Sequence, residues 1–75
     1  MSTTKSAPIT GYRDLSQDEI DLTNELKELA IQVGEKVDQV FAREATDKRW
    51  AAIARTDLQT GFMALIRSVL KPTTF

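Results

Sequence analysis

The sequence predicts an all-α fold: an antiparallel two-helix hairpin behind an irregular N-terminal arm. Three observations carry that prediction. Apolar residues recur at steps of three and four along two long stretches. Each stretch is preceded by a residue suited to cap a helix start. Only a short polar segment, Arg43-Glu44-Ala45-Thr46-Asp47, separates the two, which leaves antiparallel neighbours as the simplest packing.

The elements follow in order. Residues 1–15 carry Ser, Thr, Pro8 and Gly11 without a period and read as the arm. Ser16 followed by Glu19 is a capping box, in which hydroxyl and carboxylate each satisfy an orphan backbone N–H. Asp18, Glu19 and Asp21 add negative charge at the positive end of the helix dipole. The first helix is therefore expected over 17–42, with Leu22, Leu26, Leu29, Val33, Val37 and Val40 as one stripe. Asp47 is the expected N-cap of a second helix over 48–70. Lys71-Pro72 ends it, because proline disfavours a helical residue before it, and 71–75 form a tail. The whole is expected to be one domain, 1–75.

Composition narrows the function classes. A chain of 75 residues buries little of its own surface, so a solitary copy would be marginal. The sequence has no cysteine and no histidine, which removes disulfides, thiolate metal sites and the usual neutral-pH general base. Ten Lys+Arg against eleven Asp+Glu leave a net charge of −1, unlike a general polyanion binder. No apolar run is long enough for a membrane span, and no signal peptide is apparent. No Walker loop, dinucleotide fingerprint or nucleophile–base pair is present. The expectation is an intracellular, cytoplasmic protein that is not an enzyme, carries no cofactor or metal, and contacts neither DNA nor membrane.

At about 100° per residue, each helix carries two adjoining apolar stripes. On the first helix, Ile20, Ile31, Gly34 and Phe41 lie beside the Leu22–Val40 line, opposite an acidic solvated face. On the second, Trp50, Ala54, Leu58, Gly61, Leu65 and Val69 form one stripe. Ala52, Gln59, Met63, Ile66 and Leu70 form the other, with Phe62 at the boundary. One stripe on each helix is expected to pair inside the hairpin and the other to be covered by another copy, giving a homo-oligomer. Trp50 reads as a core anchor. Gly34 and Gly61 cost about 1 kcal/mol each inside a helix, which suggests close backbone approach at a crossing.

Two cations fall in these apolar sectors, Lys27 on the first helix and Arg55 on the second. Each could snorkel to a rim, pair with a neighbouring subunit, or meet an anionic ligand held at the interface. Tyr12 sits in the arm between Gly11 and Arg13, where packing of the arm and stacking on a ligand explain it equally.

The stretches GYRDLSQDEIDLTNELKELA and RWAAIARTDLQTGFMALIRSVLKP resemble the phage sponge family that inhibits cyclic-oligonucleotide-based antiphage signalling, the anti-CBASS sponges. A similar hairpin forms part of an anti-Thoeris sponge. The resemblance covers 11–72 and rests on Gly11-Tyr12-Arg13, Asn24, Lys27, Arg49-Trp50, Ile53-Ala54-Arg55-Thr56 and Gln59-x-Gly61-Phe62-Met63 in combination. It implies a hexamer of hairpins that sequesters cyclic di- and trinucleotides (3′,3′-cyclic GMP–AMP and cyclic tri-adenylate types) without cleaving them. It also implies that Tyr12 stacks on a base and Lys27 meets phosphate in the dinucleotide site. An arginine of the second helix is implied for the trinucleotide site, with Arg55 preferred and Arg67 the fallback. The turn is short for the family. A competing reading is an oligomeric hairpin that docks a protein partner and takes no nucleotide; a nucleic-acid-binding regulator fits the balanced charge less well.

Overall fold

A computed structural model gives the structure of residues 14–73. Most of the expected arm, Tyr12 included, and the last two residues of the tail lie outside the described residues. Within them the chain is all-α. Helix α1 spans Gln17–Ala42 and helix α2 spans Lys48–Leu70, packed as a hairpin.

Both helix starts are set by the sequence-predicted caps. Glu19 N–H donates to Ser16 Oγ (3.2 Å) and Ser16 N–H donates to Glu19 Oε1 (2.9 Å), so the capping box is complete. Asp47 Oδ1 accepts from the N–H groups of Arg49 (3.0 Å) and Trp50 (3.1 Å). Lys48 closes the turn by donating through Nζ to the carbonyls of Arg43 and Thr46. That places a cation on the C-cap carbonyl of α1, where the dipole is negative, and ties it to a carbonyl of the turn. At the far end Lys71 is left-handed, at φ 46°, and its N–H donates to the Arg67 carbonyl (2.8 Å). A non-glycine residue pays a steric cost there, and Pro72 follows it.

The seam between the helices departs from the expected pairing of one stripe with one stripe. It runs along the boundary between the two stripes. On α1 the residues turned inward are Thr23, Leu26, Ala30, Val33, Val37 and Phe41; on α2 they are Ala51, Arg55, Phe62, Ile66 and Val69. Small side chains at Thr23, Ala30 and Ala51 lie on that boundary and admit the opposing helix; among the described residues Thr23 and Ala51 are the two that are buried, at 6% and 8% exposure. Each stripe is thereby split, and part of it remains on either side of the seam.

Two further expectations are corrected. Trp50 is no core anchor in the hairpin: it is 62% exposed, with the Arg49 guanidinium 5.5 Å from its ring centroid. It stands on the Ala54–Leu58 side of α2, which faces the side of the seam, whereas Ala51, one residue on, is turned to α1 and buried. Gly34 and Gly61 do not mark a crossing within the chain, since a Cβ at either would meet nothing within 4 Å.

A hairpin has two layers at most, and this one has no fully buried large side chain among the described residues. Leu29, Ile31, Trp50, Met63 and Leu65 are each close to or more than half exposed, more large apolar surface than a lone soluble chain usually turns to water.

Candidate functional site

The split stripes create two grooves, one on each side of the seam. The first, of about 650 Å³, runs between Leu29 and Val40 of α1 and Ala54 and Leu58 of α2. Helical spacing extends its apolar wall to Leu22, Trp50 and Leu65, all more than two-fifths exposed. Gln32, Lys36 and Gln39 form its polar rim. The second groove, of about 540 Å³, has Ile31, Gly34, Asp38, Arg55, Gln59 and Phe62 in its wall. Lys27 extends the same line of α1 one turn beyond Ile31.

The structure places Arg55 differently from the sequence reading. Its Nη2 lies 2.9 Å from Oδ1 of Asp38, an ion pair across the hairpin within one chain. Its guanidinium carbon sits 4.2 Å from the centroid of the Phe41 ring. The cation therefore has an anionic partner and an aromatic floor before any ligand or second copy is present. Sequence reasoning missed both because a helical wheel places Arg55 on its own helix alone and says nothing of what the other helix sets against it. Asp38 lies four residues before the end of α1 and Arg55 seven after the start of α2. Counting outward from the turn brings them within about one helical pitch of the same level, which was the available signal.

Lys27 is exposed, with no hydrogen bond or ion pair to any described residue. Arg67 lies nearer the open end of the hairpin, beside a smaller pocket of about 450 Å³ shared with Met63, Leu70 and Pro72. Arg67 and Arg55 thus line separate pockets. The structure does not bring Lys27, Arg55 and Arg67 together in one pocket of the single hairpin. The described residues hold no group of three or more candidate metal-ligating side chains and no helix long and apolar enough to cross a membrane.

What these features define is a small all-helical module with two apolar-walled grooves, cations at intervals along one of them, and too little core for its surface. Comparison with known proteins gives that class its family. The model of the Acb2/Tad1 hairpin domain matches residues 5–70. Anti-CBASS protein 2 of Pseudomonas phage JBD67 is 35% identical over 98 aligned positions, spanning 85% of this chain and 91% of the relative. The chain belongs to the Acb2/Tad1 hairpin family. Because 98 aligned positions exceed 75 residues, part of the relative has no counterpart here.

Proposed function

We propose that this chain is a sponge for cyclic oligonucleotides, which binds them without cleavage and so withholds them from the host's CBASS effectors. The observation that carries the reading is the family match over 5–70, supported by the relative's anti-CBASS designation. Hairpins associate through the exposed apolar walls into a homo-oligomer, a hexamer by the family resemblance. The assembly works in the cytoplasm of the infected cell. The exposed large apolar side chains on both helices support association.

In this reading Tyr12 stacks on a base and Lys27 meets a phosphate of a 3′,3′-cyclic GMP–AMP-type dinucleotide. Arg55, with Arg67 as the alternative, serves a cyclic tri-adenylate-type trinucleotide. A symmetric cyclic dinucleotide presents two bases and two phosphates, and a two-fold interface presents each side chain twice. Base stacking contributes about 1–3 kcal/mol per base, and charge-assisted hydrogen bonds about 1.5–3 kcal/mol each. Two of each give roughly 5–12 kcal/mol, which after ordering costs supports micromolar to nanomolar binding. Sequestration needs no general base, and the sequence has no histidine.

Calorimetry with 3′,3′-cyclic GMP–AMP tests this. The expected result is saturable binding that Tyr12→Ala or Lys27→Glu removes while the oligomer persists. Heat denaturation of the loaded protein should release the intact cyclic ligand; recovery of linear nucleotides would make the protein a hydrolase. Absence of heat with a panel of cyclic di- and trinucleotides would leave the protein-docking module as the better account of the exposed walls.

A further inference from the structure

We propose that Asp38 is a positioning residue for the groove that holds Arg55: together with the Phe41 ring it fixes the Arg55 guanidinium in the orientation an incoming phosphate requires. The assignment rests on the reading of Arg55 as the cation of the trinucleotide site. Its evidence is geometric. An arginine side chain is long and rotamer-rich, and immobilising it on ligand capture costs affinity. Here the guanidinium is already held at two points, 2.9 Å from the carboxylate through Nη2 and 4.2 Å above the aromatic ring. Phe41 sets the plane and Asp38 sets the rotation within it.

The ion pair itself contributes little to holding the hairpin together. The side chains of Arg55 and Asp38 are 42% and 76% exposed, and ion pairs so open to water add little to stability. A guanidinium carries five N–H donors in a fixed fork, and the contact to Asp38 engages one nitrogen. The remaining donors stay available beside Gln59 and the open space at Gly34. The Asp38 carboxylate also places a negative charge near the phosphate. Its hydrogen bond therefore helps the ligand while its charge opposes it, and the two contributions separate by mutation. Asn keeps an acceptor for the guanidinium and removes the charge; Ala removes both.

The test is calorimetric titration of the full-length oligomer with cyclic tri-adenylate for wild type, Asp38→Asn and Asp38→Ala. Asp38→Ala is expected to weaken binding about three- to tenfold, the cost of ordering one long side chain. Asp38→Asn is expected to bind within about twofold of wild type or more tightly, because repulsion of the phosphate is gone. Asp38→Ala at wild-type affinity, or both variants weakened alike, overturns the assignment. Binding of 3′,3′-cyclic GMP–AMP, assigned to Tyr12 and Lys27, reports whether each variant still folds and assembles. Should Asp38→Ala fail that control, Phe41→Leu removes the platform beneath the guanidinium and makes the same test, with unchanged affinity again overturning the proposal. A wild type that binds no cyclic tri-adenylate removes the site reading itself; a wild type that binds, with Asp38→Ala equal to it, removes this assignment alone.

Discussion

Replacing Leu29 with Glu should break the assembly while leaving the hairpin intact. Leu29 stands in the wall of the larger groove and is 49% exposed in the single chain. Full burial of a leucine side chain is worth about 1.5–3 kcal/mol, so covering its exposed half contributes about 0.75–1.5 kcal/mol. A carboxylate in its place must be desolvated at the interface at a cost of several kcal/mol, of which an ion pair with Lys36 on the rim returns at most about 1 kcal/mol. Glu25, Glu28 and Glu35 on the same helix offer it no compensation. The combined loss of about 3–5 kcal/mol per chain raises the dissociation constant by at least about a hundredfold. Glutamate and leucine have similar helix propensities, so α1 itself should persist. Light scattering and sedimentation across a concentration series read the mass, and circular dichroism reads the helix. The wild type is expected well above 8.4 kDa and the variant at or near it, with unchanged helicity. A wild type that stays monomeric at micromolar concentration, or a variant that assembles as well as wild type, would refute the reasoning from uncovered surface.

Three further outcomes follow from particular contacts. Thr23 is 6% exposed and its Oγ1 has no hydrogen-bond partner among the described residues, a burden of about 1–3 kcal/mol. Thr23→Val should therefore stabilise the protein by about 1–2 kcal/mol in urea denaturation at fixed protein concentration; a loss of stability would mean the hydroxyl is bonded in solution. Asp47→Ala removes the acceptor shared by Arg49 and Trp50 and should cost about 0.5–2 kcal/mol, lowering the melting temperature by about 4–8 °C per kcal/mol. An unchanged melting curve would show that the cap does not set the start of α2. Arg55→Ala is expected to abolish cyclic tri-adenylate binding while Arg67→Ala spares it, as measured by calorimetry; the reverse pattern would move the site to the pocket at the open end of the hairpin.

Much of the fold was legible because the relevant forces are local. Ser16 and Glu19 are three residues apart, Asp47 lies beside the N–H groups it caps, and the apolar period is counted within one helix. The site was legible in part. Sequence inspection singled out Lys27 and Arg55 because they fall in apolar sectors, and the structure leaves Lys27 exposed on the same line of α1 as Ile31 and Gly34. Arg55 was left to a rim, a neighbouring subunit or an anionic ligand, yet Asp38, seventeen residues away in the same chain, pairs with it. Trp50 was read as core because its stripe is apolar, but a stripe shows only which residues share a face and carries no information about whether a neighbour covers them.

The sequence by itself determined two helices, their ends and the surplus of apolar surface between them, since backbone capping and a 3.6-residue period need no partner to be read. Tertiary structure decided which line on each helix became the seam. Two adjoining stripes on each helix offer four stripe-to-stripe pairings, and the helices instead met along the boundary between stripes, where the small side chains of Thr23, Ala30 and Ala51 sit. That choice splits the stripes into two grooves and fixes the register that sets Arg55 against Asp38 and Phe41. Such contacts depend on where two rods meet in space, a property of the packed pair and of neither helix alone.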